Sequence, residues 1–382
     1  MDWESKVSFF STKIPSHLFS VILGMLMVDC IIVGQGLAGS CLALELLKRG
    51  KRFLVIDHPE PNSASRVAAG LFNPITGRTN QPTWKATEIF STLQEFYSSA
   101  ERLLGEKFLY NLPIYRPFIS EQERLAFKEG AGVNTLRMVA QREWVSHVSR
   151  KPIYPESINN PFGGIEISHS GFLNSLVFLD AVKKMLAGQG LLQQEIFNHV
   201  ELICGETIQY KNIQAVKIIF CDGIGALLNP FFSWAPIKKL RGELLLVKTT
   251  LPTDMIINRG IFAVPAGVPD NFIVGSTYQR DSTDGNTAVG LAELTTKYNA
   301  LFKSKFEPLR ETWGHRPTTT DRRPLLGSHP KHKNVCIFNG LGTKGVSLAP
   351  FFAVHLADWL EGKTELNREV NIQRFYSLHF NV

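Results

Sequence analysis

The apolar positions of this chain fall into two kinds of period. Short aliphatic and β-branched runs stand at 30–33, 53–56, 200–204, 215–220, 240–247, 260–265, 272–277 and 335–338, and predict strands. Elsewhere apolar residues recur every three or four positions and predict helices: the run after Gly39, then 87–104, Glu121–Glu129, 172–186, 292–306 and Gly345–Leu360. In the second of these, Ile89, Phe90, Leu93, Phe96 and Tyr97 share one face. Residues 63–77 are rich in Ser, Ala, Gly and Pro and read as a loop. Strand–helix units occur at the start, middle and end, and strand-rich stretches without helix alternation fill the gaps. That order predicts an α/β chain, α+β overall, with one domain assembled from separated segments and a second, mainly antiparallel domain between them.

The junction of the first strand and helix carries chemistry. It reads Gly34-Gln35-Gly36-Leu37-Ala38-Gly39, and the next strand ends on Asp57, roughly 20 residues further on. Gly34 permits the tight turn off the strand, Gly36 clears a place where a pyrophosphate touches backbone, and Gly39 with Ala43 lets the helix lie close on the sheet. The helix N-terminus turns free N–H groups and positive potential toward phosphate, and Asp57 would take the ribose hydroxyls. With strand, helix and terminal acid in register, the pattern predicts a Rossmann-type dinucleotide domain formed by 27–84, 163–235 and 315–382, interrupted by a substrate domain formed by 85–162 and 236–314. A Gly-rich turn in some other βαβ unit is the alternative.

A chain of 382 residues accommodates two or three domains, and 44% hydrophobic residues can fill their cores. The net charge of +7 contains no Lys/Arg run long enough for a nucleic-acid tail. It reads as an ordinary solvated surface, with attraction of an anionic substrate or RNA as the sharper alternative. Cys30, Cys41, Cys204, Cys221 and Cys336 are odd in number and lack metal spacing, so they predict buried thiols in a reducing compartment, the cytoplasm, and no metal site. The apolar stretch at 18–28 is too short to span a bilayer, so no stable membrane insertion is expected. Residues 1–26 are expected to be a non-essential extension, with Met25 or Met27 the natural start.

A second glycine turn, Asn339-Gly340-Leu341-Gly342-Thr343-Lys344-Gly345, follows a strand and opens a helix near the other terminus. Such a helix start would offer N–H groups and positive potential to an electron-rich ring edge, such as the pyrimidine side of a flavin. The alternative is a helix start whose glycines serve close packing.

Taken together the motifs resemble the glycine oxidase / D-amino-acid oxidase family of FAD-dependent oxidoreductases. The resemblance runs from Val28 to the end. It rests on the first glycine turn with Asp57, on Ala68-Ala69-Gly70, on Glu195-Ile196-Phe197 with His199, on Arg241-Gly242-Glu243 and on Val274-Gly275-Ser276-Thr277. Its most specific stretch is Trp313-Gly314-His315-Arg316-Pro317 with Thr319, Asp321, Pro324 and Gly327. The family implies FAD, here expected to be non-covalent, since Cys336 stands on a strand and suggests packing. It also implies hydride transfer from the carbon bearing an amine to the flavin, hydrolysis of the imine, and reoxidation by O2, giving H2O2, or by another electron acceptor.

By position, Gly34, Gly36, Leu37, Ala38 and Gly39 match the family's pyrophosphate turn, and Asp57 its ribose acid. Ser65, Arg66, Ala69 and Gly70 match the loop that approaches the flavin, Leu202 the strand position whose backbone meets the adenine, and Gly223 a ribose–phosphate strand end. Gly340, Gly342, Thr343, Lys344 and Gly345 match the flavin pyrimidine contact. Arg316 matches the arginine that pairs a substrate carboxylate; a structural arginine paired with Asp321 or Glu311 is the alternative. The chain departs from the family at Phe262, where a substrate-side tyrosine is usual, and at Thr343, where glycine oxidases carry a second arginine. Both losses put a standard small amino-acid substrate in doubt. Lys344 supplies the missing charge or stands in solvent. The leading expectation is a small amine or amino-acid substrate. The second is oxidation of a carboxymethylaminomethyl group on the wobble uridine of tRNA, suggested by the Gly70-Leu71-Phe72-Asn73-Pro74 loop and the basic balance.

Overall fold

The structure, a computed structural model, describes residues 20–22, 25–58, 60–76, 81–129, 143–280 and 284–380. Its first sheet grows around strand β1, Met25–Val33, which leads through the Gly34 turn into helix α1, Leu37–Lys48, and back to β2, Phe53–Asp57. β1 pairs in parallel with β2 on one side and with β3, Ile213–Phe220, on the other. Leu192–Gln194 extends the sheet in parallel beyond β2, and β4, Val335–Asn339, lies parallel to the last residues of β3. Antiparallel strands at Leu202–Cys204, Ile208–Tyr210 and Leu325–Ser328 complete it. The ends of the central strands are buried on both faces, which is why 30–33 of β1, 218–220 of β3 and 335–338 of β4 read as continuous apolar runs. Helix α2, Gly345–Leu360, packs on α1 and on the helix Ala86–Leu104.

Among the described residues the second sheet has eight strands and is antiparallel except where Ile256–Asn258 runs parallel to Ile114–Pro117. Its two longest strands, Ile237–Thr249 and Phe306–Thr319, pair along their lengths, and both contact the 3-10 turn Gly223–Leu227 that follows β3.

Several elements differ from the sequence expectation. Residues 172–173 are strand, not helix: Gly171–Leu173 pairs with Leu109–Asn111, and the helix runs over Ser175–Gly188, capped by the Asn174 side chain. The helix expected at 292–306 spans Ala288–Leu301, because Thr287 caps it. Phe306 instead opens the long strand, its apolar side chain packed in the second core. The 63–77 loop contains a helical turn, Ala64–Val67. Gly164–Ile167, assigned to the dinucleotide domain from sequence, hydrogen-bonds in the second sheet between Ile114–Pro117 and Val145–Ser149. Of the presumed extension, Ser20–Ile22 pairs antiparallel with Met25–Met27, so its end continues the first sheet; residues 1–19 and 23–24 lie outside the described residues. Gly77, the end of the expected loop, also lies outside them.

Candidate active site

Both glycine turns open into one cavity of about 980 Å³. That is the upper end of the roughly 300–1,000 Å³ range of small-molecule sites. The first turn is built by close approach. Gly34 has φ +100°, and a Cβ there would stand 2.6 Å from the Cys221 carbonyl oxygen; a Cβ on Gly39 would stand 1.9 Å from the oxygen of Gly34. Gly36 supplies no side-chain cap to α1, and no acid occupies its first turn, so its N-terminus faces the cavity. The Leu37 N–H is taken by Ser65 Oγ at 3.1 Å, which ties the 64–67 turn to the helix. Asp57 Oδ1 accepts the Gln35 N–H at 2.8 Å, and burial raises its carboxyl above the ordinary range. Arg66 lines the same wall and reaches Asp180 at 3.0 Å.

The second turn has the same form. α2 begins after Lys344 without a side-chain cap or an acid in its first turn. Leu341, Gly342, Thr343, Lys344 and Gly345 line the cavity, whereas Gly340 shapes the turn from behind it, at φ +73°. The Lys344 ammonium is half-buried and donates to Thr76 Oγ1 at 3.5 Å and to Thr83 Oγ1. It therefore does not stand in solvent, and burial, followed by Arg323 and Arg322, lowers its pKa.

The same cavity is lined by Arg316, on the strand Phe306–Thr319. Its Nη2 donates to Ser276 Oγ at 2.8 Å, and its guanidinium lies over the Tyr278 ring at 5.1 Å. Gly242 leaves the space for it: a Cβ there would be 2.0 Å from Nη2. The flanking Arg241 and Glu243 are buried, and Glu243 accepts from the Thr287 N–H and hydroxyl at the start of the helix Ala288–Leu301. Asp321 pairs with Arg374 at 2.8 Å, not with Arg316. Among the described residues Arg316 forms no ion pair with a carboxylate, and burial lowers its pKa. Phe262 lines the cavity on the same side, as do Asn258, Ser276 and Tyr278.

Ala69, Gly70 and Gly223 also line the cavity. Leu202 does not; it pairs with Tyr210 in a short edge strand, and in this stretch Glu195, Ile196, Phe197 and His199 reach the wall instead. The expected strand starts one turn late because His199–Glu201 is a 3-10 turn. The sequence left the roles of Ser276, Tyr278 and His315 unassigned: Ser276 and His315 stand in motifs of the family resemblance, but only the tertiary contacts show that Ser276 and Tyr278 hold Arg316. His315 is buried and bonds Asp284 at 2.7 Å at the cavity's edge. Asp222 did carry a signal, an acid just past an apolar strand and beside a glycine.

The donor set fits a flavin dinucleotide: two helix starts and glycine cradles share one cavity with a guanidinium that no carboxylate neutralises. Among the described residues no group of three metal-ligating side chains occurs, and no helix is long and apolar enough to cross a membrane. Comparison with known proteins gives the same answer. The chain is 25% identical over 360 residues to a bifunctional protein ThiO/ThiG from Trichormus variabilis, covering 87% of this chain and 52% of that protein, so it spans about half the length of that relative. It is 24% identical over 376 residues to a glycine oxidase from Bacillus licheniformis, covering 92% of this chain and 98% of the relative. Its fold matches the crystal structure of glycine oxidase from Geobacillus kaustophilus with a TM-score of 0.72 at 19% identity, over 89% of this chain and 96% of that one. Residues 29–359 match the family described as DAO, FAD dependent oxidoreductase, and the chain belongs to that family of FAD-dependent oxidoreductases.

Proposed function

We propose that this chain oxidises the C–N bond of a small amine or amino acid that carries a carboxylate. The observation that carries the reading is the Arg316 guanidinium on the cavity wall, held by Ser276 and Tyr278 and ion-paired with no carboxylate among the described residues. A planar bidentate donor in a partly buried setting suits a carboxylate of the substrate. Phe262 would set an apolar wall against the substrate's carbon skeleton, where it cannot add a hydrogen bond. Lys344 would add positive potential at the start of α2. FAD would be held by Gly34, Gly36, Leu37, Ala38, Gly39, Asp57 and the turn from Leu341 to Gly345. When bound it supplies two-electron oxidation of the carbon next to nitrogen, with O2 or another acceptor taking the electrons. The residues of this chain then have one main task, to orient that carbon and exclude water.

We take the flavin to be non-covalent, because Cys336 is wholly buried in β4 and is not part of the cavity wall. Yellow colour left in an acid precipitate would overturn that. The test of function is anaerobic bleaching of the flavin by a panel of glycine, N-alkylglycines, D-amino acids and uncharged amines. Carboxylated members should bleach it with saturation, and Arg316→Ala should abolish the saturation. A panel that never bleaches the flavin, beside strongly salt-dependent tRNA binding, would move the assignment to a tRNA substrate.

A further inference from the structure

Asp222 lies two residues past the end of β3. A Cβ built on Gly34 would lie 3.2 Å from the Asp222 backbone nitrogen, so the backbone of this residue borders the first glycine turn. It lines the cavity and is half-buried there. Among the described residues its carboxylate has only neutral side-chain partners. Asn229 Nδ2 donates to Oδ2 at 3.1 Å and Asn339 Nδ2 donates to Oδ1 at 3.0 Å. Both amides are fixed in that orientation, because Asn229 Oδ1 accepts the Phe231 N–H and Asn339 Oδ1 accepts the Gly340 N–H. Asn339 also donates to the Gly223 carbonyl at 2.8 Å. Asp222 thus joins the phosphate end of the site to the turn at the ring end.

A carboxylate in this position meets a difficulty when a dianionic diphosphate arrives. No Lys, Arg or His forms an ion pair with Asp222 among the described residues. The elements packed on it, the Gly34 turn, the residues around Asn229 and the Asn339 turn, bring amides and backbone, and Cys221 is the titratable group beside it. Like charges in a water-poor site repel strongly. The neutral acid removes the repulsion, keeps an acceptor lone pair on each oxygen for the two asparagines, and has a proton to donate.

We propose that FAD binding is coupled to protonation of Asp222, which takes one proton from solvent and holds it as a carboxylic acid beside the diphosphate. Burial already raises the carboxyl to about 6 without ligand. Closure of the cavity over it and the added phosphate charge both act in the same direction. The sign follows: below about pH 6 the acid is already neutral and FAD affinity is independent of pH. Above it, affinity falls toward a limit of about tenfold per pH unit, the linkage of one proton. It levels off again where the ligand-bound group itself ionises.

The test uses the holoenzyme. FAD dissociation on dilution, read by flavin fluorescence from about pH 6 to about pH 9, gives Kd across the range in which the linkage acts. Other ionisable groups, among them Asp57, Glu195 and His199, share the cavity, so the result is the difference between wild type and Asp222→Asn. A slope reduced by up to about tenfold per pH unit in the variant supports the coupling, and an unchanged slope overturns it. In Asp222→Asn the introduced amide nitrogen would face one of the two fixed asparagine amides, so the variant could lose its fold. Infrared spectroscopy of the wild-type holoenzyme near neutral pH, with the aspartates carrying a 13C carboxyl label, keeps the question open to decision. A label-shifted carboxylic-acid C=O band that diminishes in Asp222→Ser supports the proposal, and its absence in the wild type refutes it. Neither measurement depends on which amine is oxidised.

Discussion

At the scale of single residues, the site turns on where bulk is missing. Gly242 is not conformationally demanded; it is small because Arg316 lies across it. Gly242→Ala should push the guanidinium off Ser276 and Tyr278 while leaving the flavin turns alone. We expect kcat/KM for carboxylated amines to fall on the order of 10- to 100-fold, the loss of about 1.5–3 kcal/mol of charge-assisted hydrogen bonding. The flavin spectrum and FAD content should be unchanged, and uncharged amines should lose less. Equal losses for charged and uncharged amines would remove Arg316 from substrate recognition. The Arg-Gly-Glu triplet was visible in the sequence. What its glycine is for was not, because Arg316 and Gly242 are neighbours only through pairing of the strands Ile237–Thr249 and Phe306–Thr319.

At the scale of elements, two helix starts face the cavity, and a third shows what an ordinary start looks like. The helix Ala288–Leu301 is capped by Thr287 and supported by Glu243, and it serves packing. Thr287→Ala should lower stability by about 1 kcal/mol, read as a reduced Tm, with FAD content intact. The residues that precede α1 and α2, Gly36 and Lys344, supply no such cap, although Ser65 Oγ takes the Leu37 N–H of α1. Gly39→Ala would set a methyl group 1.9 Å from the Gly34 oxygen and force α1 off the turn. We expect a cost of about 1–3 kcal/mol together with loss of bound FAD, measured by Tm and by the ratio of flavin to protein absorbance. A Gly39→Ala protein that keeps its full complement of FAD would show that the approach of α1 to the turn is dispensable. The contrast between the capped helix and the two at the cavity was only half legible. Pattern marks where a helix begins, but whether its free N–H groups meet a side chain or a cavity depends on residues distant in sequence.

At the scale of the whole molecule, the five thiols report on packing. Cys30, Cys41, Cys221 and Cys336 are buried and Cys204 is half-buried; none is disulfide-bonded. Burial pushes the Cys30 thiol up to about 12 and raises the others as well. Since the thiolate is the reactive form, a thiol reagent at mildly alkaline pH should label at most Cys204 in the native protein and all five after denaturation. Labelling of two or more native thiols would contradict this core. Added FAD should raise Tm in proportion to the logarithm of its concentration once above Kd, since the ligand binds the folded state alone.

The sequence by itself determined the pieces: the strand–turn–helix with its glycines and terminal acid, the second glycine turn, and the sheet strands whose apolar runs mark burial on both faces. These are local, because a tight turn or a close helix approach admits few residue types wherever it occurs. The tertiary structure alone decided that the two turns share a cavity, that Arg316 is held by Ser276 and Tyr278 rather than by Asp321, and that Leu202 stands away from the wall. Those facts are set by strand order and register, which bring together residues far apart in the chain and leave no periodic trace along it.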